Sequence, residues 1–296
     1  MYIVTHKEKK IGMLGLTLIA IVILTTTLFS GCTTQNSNQG LNIVLVGRSP
    51  PSGTRDYFVS AVMNNVNMSP NVYEKLSNGD VYTTVNTTEG AIGYVGIGFI
   101  TPWVKVLTIN NVTCNVANVL SKSYPLSRDL YFVTKGNATG NALEFIHYLQ
   151  SKEGQAFVTE EGFVPDPDYQ AVTYDSTGKS LTGTLIISGS TTVDPIVEKA
   201  KDAFMRIYPG LTITVTAPGS GAGITAVSQG KADLAMSSRD LTAAETSSGL
   251  MKYTVAKDGL AIIVNHANTY VNNLSLAQLK AIYKGDITKW TNVSKL

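Results

Sequence analysis

The chain has 296 residues, 44% of them hydrophobic and 15% charged, which suits a folded protein of one large or two ordinary domains and excludes a disordered chain. Its formal net charge is +2, a surplus accounted for by Lys7, Lys9 and Lys10 against Glu8 before residue 32. The remainder is charge-balanced, which argues against general nucleic-acid or membrane-surface binding, so any anion affinity has to be local and built from a few placed groups.

The three lysines precede an apolar run over 11–29, which is followed by Ser30-Gly31-Cys32. Positive charge, apolar stretch, small residues and a cysteine read as a lipoprotein-type signal over 1–31, with the Cys32 thiol as lipid acceptor. An uncleaved membrane helix is the alternative, since the run is nearly long enough to span. Either reading puts the body outside the membrane, on a flexible polar tether at 32–40. Cys114 has no disulfide partner once Cys32 is lipidated and reads as a small buried hydrophobe. Sequons at Asn67, Asn86, Asn111, Asn137, Asn273 and Asn292 permit glycosylation of an external protein, with chance occurrence as the alternative.

Short β-rich runs then alternate with amphipathic ones. Residues 41–46 predict a buried strand and 54–66 a helix. The segment 166–182 is polar, contains Pro167 and Gly178, and reads as a linker. Beyond it, 184–187 predicts a strand, and 194–208 a helix with Ile196, Val197, Ala200, Ala203, Phe204 and Ile207 on its apolar face. Strands at 211–216, 232–236 and 260–264 and helices at 224–229 and 276–283 complete the pattern. Such alternation implies an α/β fold with largely parallel sheets.

Three places share one design of strand, Gly/Ser/Thr turn and helix: Ser52-Gly53-Thr54, Gly189-Ser190-Thr191-Thr192 and Gly219-Ser220-Gly221-Ala222-Gly223. A helix N-terminus offers free N–H groups and a positive dipole end, glycine lets a ligand approach the backbone, and hydroxyls add donors. One such turn is ordinary capping, whereas three together point to an anion. None is a nucleotide P-loop, because no Gly-Lys-Ser/Thr follows. His147 and His266 are not near these turns in sequence, so no catalytic triad suggests itself, and with one spare cysteine they are too few for a dedicated zinc site. Arg48 ends an apolar strand four residues before Ser52, where a guanidinium gives an oxyanion bidentate hydrogen bonds or forms a surface salt bridge.

The run Ile187-Ser188-Gly189-Ser190-Thr191-Thr192-Val193 resembles the opening of phosphate-binding proteins of the ABC phosphate-transport family. Further stretches resemble that family at 46–56 (VGRSPPSGTRD), 91–96 (AIGYVG), 123–136 (SYPLSRDLYFVTKG), 161–165 (EGFVP), 219–224, 232–241 (ADLAMSSRDL), 257–265 (KDGLAIIVN) and 276–290 (LAQLKAIYKGDITKW). Together they span most of 41–296. The resemblance implies phosphate contacts at Arg48, Ser52, Gly53, Thr54, Thr191, Thr192 and Ser220. It also implies one at Ser238, where some family members carry an aspartate that accepts the proton of protonated phosphate. Asp56 or Asp240 would restore such an acceptor if either reached the cleft. Many members also have glycine where this chain has Pro51.

The motif order differs from the family's usual one: its second part comes first, at about 41–165, and its first part follows at 183–296. A circular permutation is the expectation, with 166–182 joining the old ends. The implied architecture is a two-lobed periplasmic-binding-protein-like fold with the ligand cleft between the lobes. One lobe is expected from 41–123 plus 266–296, and the other from 124–265. The implied role is capture of inorganic phosphate, without cofactor or metal, for ABC transporter permease subunits at the outer face of the cell membrane. A phosphate-sensing surface protein and a phosphatase-like enzyme reusing the anion site are the alternatives.

Overall fold

The computed structural model describes residues 40–295. The expected signal at 1–31, the acceptor Cys32 and the tether up to residue 39 lie outside the described residues.

The apolar stretch before the first turn forms β1 (Val44–Arg48), and the Ser52 hydroxyl then accepts from the Arg55 N–H to cap α1 (Gly53–Ala61). α1 is shorter than the 54–66 expected, because Asn64 and Asn65 turn the backbone to positive φ. β2 (Tyr73–Lys75), α2 (Asn78–Thr87), β3 (Ala91–Gly96), β4 (Val104–Val106), β5 (Thr108–Ile109) and α3 (Val116–Leu120) follow. Next come β6 (Ser127–Lys135), α4 (Gly140–Leu149) and α5 (Lys152–Glu160). After 166–182 the chain builds β7 (Gly183–Gly189), α6 (Asp194–Ile207), β8 (Leu211–Thr216), α7 (Ser220–Ser228), β9 (Leu234–Ser237) and α8 (Ala243–Ser247). The long β10 (Leu250–Asn265), β11 (Asn273–Leu274) and α9 (Leu276–Lys284) complete the described order.

Nine strands form one sheet in the order β2-β1-β3-β10-β6-β9-β7-β8, with β4 also on β10. Its two ends are parallel, β1 with β2 and β3, and β7 with β8 and β9. The middle is antiparallel, unlike the largely parallel sheet expected, because β6 and β10 run against their neighbours. β10 serves both halves: 250–259 pairs with β6, whereas 260–264 pairs with β3 and 263–265 with β4. The stretch 260–265, grouped from sequence with 124–259, therefore joins the β1–β3 half. A single 16-residue strand passes through both halves where only a short strand at 260–264 was expected.

Two groups of aromatic rings stand within one continuous hydrophobic core. Phe58 stacks on Tyr94 at 4.1 Å between centroids, Tyr283 packs edge-on at 4.6 Å from Phe58, and the Tyr283 hydroxyl donates to the carbonyls of Val46 and Ile92. The indole N–H of Trp290 donates to the Gly90 carbonyl, so 276–290 is bound onto β1 and β3. In the other half Phe132, Phe145, Phe204 and Tyr148 interlock. Burying one such ring stabilises by roughly 1.5–3 kcal/mol. α6 buries Ile196, Val197, Ala200, Ala203 and Phe204 as its periodicity predicts, but Ile207 in its last turn is exposed. The linker 166–182 is pinned rather than loose: the Tyr174 ring packs on Tyr148 and Phe204, and its hydroxyl donates to Glu144. Cys114 is buried, which pushes its thiol up to about 12. Among the described residues no helix is long and apolar enough to cross a membrane.

Candidate functional site

All three turns are built on glycines that admit no side chain: at Gly189 the backbone has φ 145°, and a Cβ there would lie 2.2 Å from the Met236 carbonyl oxygen. At Gly219 the backbone has φ 114°, and a Cβ there would lie 2.8 Å from the Pro51 carbonyl oxygen. The residues after it, read from sequence as a turn before a helix at 224, form the first turn of α7, so Ser220 lies inside the helix N-terminus. At Gly53, at the start of α1, a Cβ would lie 2.3 Å from the Ser220 hydroxyl oxygen and 3.0 Å from that of Ser238. The helix N-termini of α1 and α7 thus meet with their backbones in contact, and the Gly221 N–H donates to the Pro51 carbonyl at 3.0 Å.

The hydroxyls converge at this meeting point. Thr54 Oγ1 lies 3.0 Å from Thr192 Oγ1 and 3.3 Å from Ser238 Oγ, and Ser220 Oγ lies 3.4 Å from Ser238 Oγ. Thr54, Thr192, Ser220 and Ser238 are buried, and Thr191 is half-buried. Several lone pairs are already used by protein donors. The Ser238 N–H donates to Ser220 Oγ at 3.2 Å, and the Asn78 amide donates to Thr191 and Thr192 at 3.1 and 2.9 Å. Those hydroxyls keep their protons to donate, within the Thr54–Thr192 and Ser220–Ser238 contacts or, by rotation, to an electron-rich ligand. Ser52, expected beside them, works as the α1 cap.

Arg48 is 1% exposed at the end of β1. Its Nε and Nη2 donate to the carbonyls of Lys75 and Leu76, just ahead of the Asn78 that reaches Thr191 and Thr192. Its Nη1 is buried without a hydrogen-bond partner. An unpaired buried cationic donor is costly unless a ligand completes it. Burial brings the Arg48 guanidinium down to about 10, with the charge of Arg128 acting in the same sense, so it remains cationic at neutral pH.

Three further residues belong to the site, and sequence reasoning did not single them out. Asn78, fully buried at the start of α2, accepts from the Gly96 N–H while donating to the two threonines. Arg128 on β6 donates to Thr54 Oγ1 at 3.3 Å and to the Ser238 carbonyl at 3.0 Å. Asp258 on β10 takes both the Nε and Nη2 of Arg128, at 2.8 and 2.7 Å, and accepts from the Ile97 N–H with its other oxygen. Burial pushes the Asp258 carboxyl above its ordinary value, against the pull of Arg128. The only signal available was charge inside strand sequences, and Asp129 beside Arg128 and Lys257 beside Asp258 blur it. Neither acidic residue considered as a substitute acceptor joins the hydroxyls: Asp56 pairs with Arg239, and Asp240 with Lys252. His147 and His266 are exposed, away from this buried cluster. Among the described residues no group of three or more His, Cys, Asp or Glu side chains is placed to hold a metal ion. Hydroxyl and amide donors, helix N-termini and guanidinium groups with few free acceptors suit a small oxyanion.

A family profile described as a PBP superfamily domain matches residues 3–153 and 175–295. The Phosphate-binding protein PstS 2 of Streptococcus agalactiae serotype V is 33% identical over 303 residues, covering 98% of this chain and 99% of that protein. The Phosphate-binding protein PstS of Bacillus subtilis is 37% identical over 139 residues, 46% of each chain. The crystal structure of a phosphate ABC transporter, phosphate-binding protein from Streptococcus pneumoniae, superposes with a TM-score of 0.71 at 32% identity, covering 86% of this chain and all of that one.

Proposed function

Because the chain belongs to the PBP superfamily, and within it to the family of phosphate-binding proteins, we propose that it captures inorganic phosphate outside the cell and presents it to an ABC transporter. One observation carries the reading: Arg48 Nη1 is a buried, partnerless cationic donor at the mouth of a strand that leads into a cluster of hydroxyls and helix N-termini. In this reading Arg48 and the hydroxyls of Ser52, Thr54, Thr191, Ser220 and Ser238 hold the anion, with the backbone N–H groups of Gly53 and Thr192. A charge-assisted hydrogen bond contributes roughly 1.5–3 kcal/mol net. A micromolar site needs about −8 kcal/mol, so a handful of such bonds suffices even after the cost of closure.

The mechanism is capture by closure. The half containing β1–β4 and α9 carries Arg48 and the α1 N-terminus, and the half containing β6–β9 carries Thr191, Ser220 and Ser238. β10 runs through both, so bending there opens and closes the hydroxyl cluster, and a permease recognises the closed form. We assign the outer face of the membrane as the location, with the lipid on Cys32 as anchor. The motif order is a circular permutation in this reading. The contact of Leu41 with Trp290, which brings the two described ends together, is what supports it.

Calorimetry with phosphate, arsenate, sulfate and molybdate tests the proposal. One phosphate bound per chain, with loss on substituting Arg48, is expected. Failure to bind any of the four, or turnover of a phosphate ester, refutes it.

A further inference from the structure

We propose that Arg128, held by Asp258, is a positioning residue of the anion site that fixes Thr54 as a hydrogen-bond donor to the ligand. The inference rests on the phosphate-binding reading and adds residues that the family resemblance does not supply.

The geometry is a fork with each prong used. Nη2 of Arg128 reaches Thr54 Oγ1 at 3.3 Å, Nη1 reaches the Ser238 carbonyl at 3.0 Å, and Nε and Nη2 grip one oxygen of Asp258. The other Asp258 oxygen accepts from the Ile97 N–H at 2.9 Å, just past β3. The guanidinium carbon also lies 5.3 Å from the centre of the Tyr57 ring, and the Tyr57 hydroxyl donates to the carbonyl of Ser127, the residue before Arg128. Both charged side chains are shut off from solvent, at 3% and 0% exposure. A buried ion pair is a poor source of stability compared with an apolar pair of the same volume, so its placement against a ligand hydroxyl calls for another role.

That role follows from hydroxyl chemistry. A threonine hydroxyl has one proton and two lone pairs. A cationic donor on one lone pair polarises the O–H bond and turns the proton away from itself, toward the side of Thr192 and Ser238, where the phosphate-binding reading puts the anion. Arg128 therefore acts on the ligand through Thr54. Lysine at this position keeps the charge, but its single nitrogen does not span Thr54, the Ser238 carbonyl and Asp258 together.

A double-mutant cycle on the full chain tests this, with phosphate and sulfate dissociation constants read by calorimetry and melting temperature recorded alongside. Arg128→Lys and Thr54→Val are each expected to weaken phosphate binding about tenfold or more. The double variant is expected to bind only as weakly as Thr54→Val alone, a departure from multiplicativity as large as the Arg128→Lys effect itself, about tenfold or more. Asp258→Asn, which keeps an acceptor for Ile97 and deletes the charge, gives a second cycle with the same expectation if Arg128→Lys does not fold. Multiplicative effects in the cycle overturn the proposal while phosphate binding by the unmodified protein stands. Absence of any oxyanion binding by the unmodified protein overturns both.

Discussion

Thr54 Oγ1 and Thr192 Oγ1 lie 3.0 Å apart, although 138 residues separate them in the chain. Thr54 stands in the first turn of α1 and Thr192 just before α6, so each arrives on a different half of the sheet. The site exists only because the halves meet: neither brings more than part of the donor set. In the proposed capture by closure, ligand binding and lobe closure are one event, and residues that make the contact tighter should act on the lifetime of the bound state.

Arg48→Ala should weaken phosphate binding by about 2–5 kcal/mol, because ligand charge then stays unpaired in a buried site. Arg48→Lys should recover only part of this, since one ammonium does not hold the Lys75 and Leu76 carbonyls and an anion in the same plane. Calorimetry giving an unchanged dissociation constant for Arg48→Ala would remove Arg48 from the site.

Ser238→Asp should raise the preference for phosphate over sulfate. The Ser238 hydroxyl touches Thr54 and Ser220 at 3.3 and 3.4 Å and serves as donor or acceptor alike. A carboxylate there accepts the proton of monohydrogen phosphate and repels sulfate, which has none to give. Competition at neutral pH is the measurement. If the ratio of the two affinities does not move, discrimination resides elsewhere in the cluster.

The apolar runs at β1, β7 and β8 and the amphipathic face of α6 were legible in the sequence because each is set by local periodicity. The start of α7 was not: four small residues after Gly219 look like a turn, yet φ 114° at Gly219 supplies the bend and the helix begins at once. β10 was seen only at 260–264, because Lys252, Lys257 and Asp258 interrupt its first part. The three hydroxyl turns were legible from composition. Asn78, Arg128 and Asp258 were not, since what makes them part of the site is pairing across the fold. Arg128 finds Thr54 at a separation of 74 residues and Asp258 at 130.

Arg239 crosses between the halves, donating to Asp56 on α1 at 3.0 Å while Glu245 holds its other face with two contacts of 2.8 Å. Arg239 hydrogen bonding holds the Glu245 carboxyl below its ordinary value of 4.5, against the opposing effect of burial. For a lowered carboxylate the stabilisation is complete above the unfolded value and disappears as pH falls through the folded one. The difference in Tm between the unmodified protein and Glu245→Gln should therefore be present at neutral pH and close below about pH 4.5. Asp56→Asn should speed phosphate release by up to about fivefold, as befits a partly exposed ion pair worth about 0.2–1 kcal/mol. Stopped-flow release rates identical at low and high salt, and in both variants, would mean that Arg239 does not latch the lobes.

On the proposed permutation, a chain closed at its present ends and opened within 166–182 should fold and bind. The Trp290 N–H donates to the Leu41 carbonyl at 3.0 Å, the Ile43 N–H donates to Thr288 at 2.9 Å, and Asn42 bridges Lys289. Residues 41 and 293 are therefore joinable by a short Gly/Ser linker, at a closure cost that grows by only about 0.6 kcal/mol per doubling of its length. The new opening belongs at Gly178, within the exposed stretch 175–180, and not at the start of the linker. Opening there leaves Tyr174 packed on Tyr148 and Phe204 and leaves β7 whole. The chain would run 179–293, linker, 41–178, in the motif order that the family resemblance gives as usual. Its phosphate dissociation constant should stay within about threefold of the original, and its Tm should fall by about 2–4 °C for each 1 kcal/mol lost at the new ends. Opening at Tyr174 instead should cost more, because the aromatic cluster then loses its anchor. An insoluble or non-binding Gly178 permutant would show that chain order is bound up with the fold, contrary to a simple rejoining of ends that already touch.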